Sequence, residues 1–184
     1  MGAQERHHTI CGLYGRLLSY PGPELKEAAD RCGEMLAEGS PRAAGELGRF
    51  VRFLEEQSAS RVEELYTSTF DLQPSCYPYV GYQLCGESQK RILFMIKLKE
   101  VYREHSFEAQ GELPDHLSEM LAFLAVAKDR GVRTEIVTDG LLPALDRLVK
   151  SFEDRNHPYG ALLGSLQAFL EENPGSAGPK EVAS

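Results

Sequence analysis

Two segments of this 184-residue chain concentrate side chains able to recognise a ligand. The first runs from Leu65-Tyr66-Thr67-Ser68-Thr69-Phe70-Asp71-Leu72 into Pro78-Tyr79-Val80-Gly81-Tyr82. The second is Glu112-Leu113-Pro114-Asp115-His116-Leu117. Around it, Glu104, Glu108, Glu112, Asp115 and Glu119 follow one another with no Lys or Arg between them. Carboxylates pair with guanidinium groups, and tyrosine rings accept apolar and guanidinium faces. The combination suits a basic, partly apolar peptide. A plainer account stays open. Pro114 and Asp115 can simply start a helix, with Asp115 as N-cap and His116 in the first turn. The tyrosines can be core-edge residues and the acids a solvated face.

Other chemistry has thinner support. Glu5-x-x-His8 is the single Glu-x-x-His spacing, whereas a helical di-metal site needs two such pairs and further glutamates. No zinc-protease His pair, phosphate-binding loop or dinucleotide glycine pattern occurs. Cys11 and Cys32 fall inside apolar stripes, and Cys76 and Cys85 sit beside glycine and aromatics. They read as small buried hydrophobes, not nucleophiles or metal ligands. The expectation is a non-enzyme without a metal or cofactor of its own.

Composition narrows the partners. Lys plus Arg is 20 against 28 Asp plus Glu, a formal net charge of −8. General nucleic-acid binding needs a basic face, so nucleic acid is not expected as a partner. The apolar run Met120 to Ala127 is too short to span a bilayer. The opening residues have no basic-then-apolar secretory form, and Arg6 breaks the myristoylation pattern. Reduced cysteines in a cytoplasmic protein, without membrane insertion, are the expectation.

The elements that must position these residues have helical period almost throughout. Ile10, Leu13, Tyr14, Leu17 and Leu18 form one stripe, stopped by Tyr20-Pro21-Gly22-Pro23. Leu25, Ala28, Ala29, Cys32, Met35 and Leu36 form a second. Ser40-Pro41 opens a third, and Ser60-x-x-Glu63 has the capping-box spacing for a fourth. Asp71 to Gly86 reads as a loop leading into a short helix. Ser88 to His105 is predicted as a long helix, apolar nearly all round in its first turns and therefore central and buried. Asp115 to Asp129 is predicted helical, ended by Gly131. Two further stripes follow, through Leu141 to Phe152 and from Pro158 to Leu170. Ile136-Val137-Thr138 is the one stretch with extended character. The predicted fold is all-α: one helical bundle of about seven or eight helices over residues 1–172, with a flexible tail at 173–184.

The quoted segments, with the Lys97-Leu98-Lys99-Glu100-Val101-Tyr102 helix and ELPDHLSEMLAFLA, resemble the nitrate reductase delta-subunit (NarJ) chaperones. That family belongs with the TorD/DmsD redox-enzyme maturation chaperones, and the resemblance covers roughly residues 60–127. It implies a TorD-like, cytoplasmic, non-enzymatic chaperone. Such a protein binds the N-terminal leader of the apo catalytic subunit of a molybdenum oxidoreductase and assists insertion of the molybdenum cofactor. Carried over by position, Glu112, Pro114, Asp115 and His116 match the leader-binding motif. Tyr66, Phe70, Pro78, Tyr79 and Tyr82 match the aromatic and proline positions before the long helix. The chain has no Trp, so Tyr takes the places where wider relatives use Trp. The resemblance leaves open an all-α scaffold that binds the cofactor directly.

Overall fold

Residues 1–154 and 156–174 are described by the computed structural model. All regular structure among them is helical, apart from one isolated antiparallel bridge. The order is α1 (Ala3–Leu17), α2 (Leu25–Ala37), α3 (Pro41–Glu56), α4 (Ala59–Phe70), a 3-10 turn (Pro74–Cys76), α5 (Val80–Cys85), α6 (Gln89–Glu104), α7 (Leu117–Leu124) and α8 (Arg130–Glu135). A π-helical segment (Ile136–Leu141) then joins α8 without a break to α9 (Leu142–Ser151), and α10 (Pro158–Glu172) follows. The all-α expectation holds. The count exceeds seven or eight, because short helices interrupt the loops. No helix among the described residues is long and apolar enough to cross a membrane.

The central helix is α10, not α6. Tyr159, Leu162, Leu163, Leu166, Phe169 and Leu170 are all buried. The stretch from Pro158 to Leu170 carries no charge, and its small residues let neighbouring helices approach closely. One face meets α3 and another meets α9. A polar staple crosses this core. Ser165 donates to the Ala43 carbonyl (2.6 Å), so Tyr14 donates to Ser165 Oγ (2.6 Å), tying α1, α10 and α3 together. Helix α6 differs because charges stud every side of it: Lys90, Arg91, Lys97, Lys99, Glu100, Arg103 and Glu104. Only Leu98 and Tyr102 are buried, and the helix lies at the edge, packed chiefly on α5.

Local signals held with shifts. Ser58, not Ser60, caps α4 by accepting the Arg61 N–H. Ser40 does precede Pro41 at the start of α3, but its hydroxyl takes the Asn173 amide (3.3 Å). Gly131 lies inside α8, and Ile136-Val137-Thr138 is π-helical, not extended. The π turn follows from Pro143, whose missing N–H and bulky ring perturb the hydrogen bonding of the turn before it. Asn173, expected as the first tail residue, is fastened: its carbonyl accepts from His7 Nε2 (3.0 Å). The rest of the expected tail, from residue 175, lies outside the described residues.

Candidate functional site

The two conspicuous segments meet through their main chains. Val80 N–H donates to the Asp115 carbonyl (2.7 Å), and Leu117 N–H donates to the Pro78 carbonyl (2.8 Å). This is the lone β-bridge, Tyr79 against His116. Pro78 and Pro114 fix φ just before each strand-like step, which holds both segments extended at little entropic cost. The Tyr79 and His116 rings stand edge to face, with centroids 5.0 Å apart.

Asp115 is not the helix cap. Its carboxylate is 0% exposed and gripped by Arg91 of α6, with Nε at 2.9 Å and Nη2 at 3.4 Å. The Arg91 guanidinium in turn lies over the Tyr79 ring (5.2 Å) and the Tyr82 ring (5.8 Å). Gly81 makes room for this pair. A Cβ there would stand 2.8 Å from Asp115 Oδ2, 3.0 Å from Phe94 and 3.1 Å from Arg91 Cγ. Both oxygens of this enclosed carboxylate are thus taken by a guanidinium of the chain itself.

His116 caps α7. Its Nδ1 accepts the Ser118 N–H (3.1 Å), and the Ser118 hydroxyl lies 2.6 Å away. The proton of the neutral ring therefore sits on Nε2. Burial lowers the imidazole pKa against the upward pull of Glu112, Glu119, Asp115 and Asp71. His116 is accordingly a buried helix cap, and both its accepting Nδ1 and its burial favour the neutral imidazole.

The preceding loop is equally determined. Ser106 adopts a left-handed φ of 55° and ends α6, while Phe107 N–H reaches back to the Tyr102 carbonyl (2.9 Å) and its ring packs on Tyr102. The Tyr102 hydroxyl donates to the Pro114 carbonyl (2.8 Å). The Glu119 carboxylate accepts three successive backbone N–H groups, from Gln110 (3.2 Å), Gly111 (3.0 Å) and Glu112 (3.1 Å). Of the five acids in the run, Asp115 and Glu119 are thus consumed inside the fold, whereas Glu104, Glu108 and Glu112 face solvent.

The remaining expected residues divide by depth. Tyr66 and Phe70 are buried in an aromatic cluster with Tyr159, and the Tyr66 hydroxyl donates to the Leu18 carbonyl (3.2 Å). Pro78 and Pro114 are buried hinges of the bridge. Tyr79 and Tyr82 are half-buried, and Glu112 is exposed. The Tyr79 hydroxyl donates to Glu112 (3.0 Å); burial first, and then this carboxylate, raise its pKa to about 12. Beside them opens a hollow of about 710 Å³. Tyr102, Phe107, Leu113 and Pro114 belong to its lining, with Glu108 and Glu112 from the loop and Lys99 and Arg103 from α6. Arg91 was not singled out from sequence, and Gly81, Tyr102 and Glu119 stood in the quoted segments without these roles. The signal for Arg91 was indirect: an acid run without internal cations needs one from elsewhere if any member is buried.

Among the described residues no group of three or more His, Cys, Asp or Glu is placed to hold a metal. His7 Nδ1, beside Glu5-x-x-His8, accepts from the buried guanidinium of Arg133 (2.9 Å). Burial, and then Arg133, push its pKa down to about 4.

Residues 34–173 match the family model described as nitrate reductase delta subunit. The chain is 30% identical over 173 residues to the nitrate reductase molybdenum cofactor assembly chaperone NarJ of Bacillus subtilis, covering 93% of this chain and 92% of that one. It is 32% identical over 110 residues to the nitrate reductase-like protein NarX of Mycobacterium tuberculosis, covering 59% of this chain and 16% of that longer protein. A crystal structure from Archaeoglobus fulgidus, titled as a redox enzyme maturation protein, superposes with a TM-score of 0.61 at 20% identity, over 93% of this chain and 96% of that one. That last likeness is one of fold.

Proposed function

Because the chain belongs to the nitrate reductase delta-subunit family, we propose that it is an assembly chaperone for a molybdenum-containing reductase, most simply a nitrate reductase. In this reading it works in the cytoplasm, holds the N-terminal leader of the apo catalytic subunit, and keeps that subunit open until the molybdenum cofactor is inserted.

The observation that carries the reading is the Tyr79–His116 bridge. It joins two segments far apart in sequence into one wall beside an apolar hollow with a carboxylate rim. A leader helix would lay its apolar side chains on Tyr102, Phe107 and Leu113, and its arginines toward Glu108 and Glu112. Lys99 and Arg103, which α6 contributes to the same lining, repel the basic end and so fix its orientation. Exposed ion pairs contribute about 0.2–1 kcal/mol each, whereas a fully buried leucine contributes about 1.5–3 kcal/mol. Apolar burial therefore sets affinity and charge sets direction. Asp115 acts at one remove, by holding Arg91 across Tyr79 and Tyr82.

Calorimetry with a client leader peptide tests this. Leu113→Ser is expected to weaken binding about tenfold, the loss of one buried aliphatic group. Glu112→Gln is expected to cost a few-fold and to flatten the salt dependence. Unchanged affinity in both variants would remove the hollow as the site. Molybdenum cofactor retained on the chain after separation from its client would favour direct cofactor binding instead.

A further inference from the structure

On the outward face of α6, Ile92 and Ile96 share the helical stripe of Lys99 and Arg103 and precede the hollow along the helix. Ile92, Leu93 and Ile96 are 53%, 64% and 50% exposed there and form an apolar ridge on the N-terminal half of the helix. Next to the ridge, between α6 and the α8–π segment, runs a groove of about 520 Å³ with Phe94, Leu98, Met120 and Ile136 in its lining. Its two walls differ in sign. Lys90 and Lys97 stand on the α6 side, and Glu135 and Asp139 on the other. Among the described residues none of these four forms an ion pair within the chain.

An exposed ridge beside an empty groove, with cations on the ridge helix and anions on the far wall, is self-complementary. A two-fold axis places the ridge of each molecule in the groove of the other and brings each Lys97 against the opposing Asp139. We propose that this face is a homodimer interface, built from α6 and the α8–π segment of two copies of this chain. Charge complementarity selects this occupant. A foreign helix would have to present acids toward α6 and bases toward α8 at once, which this chain already does. An anionic membrane would meet the Glu135–Asp139 wall and be repelled. The groove and the leader hollow have no lining residue in common, and the inference does not rest on the proposed function.

Sedimentation equilibrium of the full chain over a range of concentrations tests it. The wild-type chain is expected to pass from monomer to dimer mass as concentration rises. Ile96→Glu is expected to stay monomeric. Lys97→Glu and Asp139→Lys alter exposed side chains and should keep the fold, checked by circular dichroism. Each alone should weaken self-association about tenfold, because two symmetric attractions become repulsions. An equimolar mixture of these two variants should recover near-wild-type association as a heterodimer, identified by native mass spectrometry, since each contact then pairs opposite charges. A wild-type chain monomeric at every concentration, or a mixture no better associated than its components, overturns the proposal. Association insensitive to Ile96→Glu places the interface elsewhere and overturns it equally.

Discussion

Replacing Arg91 by methionine should destabilise the protein far more than an ordinary edge-helix substitution. Methionine keeps most of the stem, so the packing against Phe94 and Gly81 survives and the lost interaction is the charge. Asp115 then remains as a carboxylate with 0% exposure and no cation, whereas the Arg91 side chain is 15% exposed. Breaking a buried pair from one side costs about 3–5 kcal/mol, because the abandoned charge stays out of water. At about 2–4 °C per kcal/mol for a chain of this length, the melting temperature should fall by about 10 °C. The opposite truncation should be milder. Asp115→Ala frees an arginine that can rotate into solvent, at a cost of about 1–3 kcal/mol. The double variant Arg91→Met plus Asp115→Ala should cost less than the sum, by about 1–3 kcal/mol of coupling. Urea titrations of the four proteins close this cycle. An Arg91→Met cost under about 1 kcal/mol, or strict additivity, would refute the claim that the pair is a buried clamp.

Gly81→Ala should cost about 1–3 kcal/mol, because its Cβ would press on Asp115, Phe94 and Arg91; thermal melting reports it. Stability should decline on acidification through His7. Its folded pKa of about 4 lies below the unfolded value of 6.5, so the unfolded chain takes the proton first. The His7 contribution is therefore complete above 6.5 and falls progressively toward 4, by about 2 kcal/mol near about pH 5, and His7→Gln should flatten the slope of urea midpoint against pH. Native alkylation followed by mass spectrometry should label the half-buried Cys85 first. Cys11 and Cys32, whose pKa values burial raises to about 12, should react only after unfolding.

Periodicity carried most of the architecture. Stripes such as Leu25 to Leu36 became the buried faces of helices at nearly the expected bounds, because in those segments the apolar positions agree with a single face. The misjudgement of α6 shows where pattern counting fails. Its run of five apolar residues looked like core, but charges on either side leave no charge-free face to bury. The charge-free stretch from Pro158 to Leu170 was the better guide to the centre. At the site, proximity of the two segments was legible through the family resemblance, whereas depth was not. Asp115, His116 and Tyr66 have the types of ligand-binding residues, yet each is enclosed by partners contributed from other helices: Arg91, the start of α7 and the α10 aromatics. Such enclosure is a tertiary fact that spacing along one segment does not encode.

The Tyr79–His116 bridge also bears on how related chains are free to drift. Its bonds run between main-chain atoms of Pro78, Val80, Asp115 and Leu117, so they tolerate many side chains but no change of length. An extra residue between Pro78 and Val80, or between Asp115 and Leu117, would break this pairing and carry Tyr79 or Asp115 away from Arg91. An insertion between Ser106 and Gln110 would merely enlarge a surface loop. Among relatives, gaps in alignment should therefore gather in the loop after α6 and stop short of Gln110, where the backbone grip of Glu119 begins to fix the count.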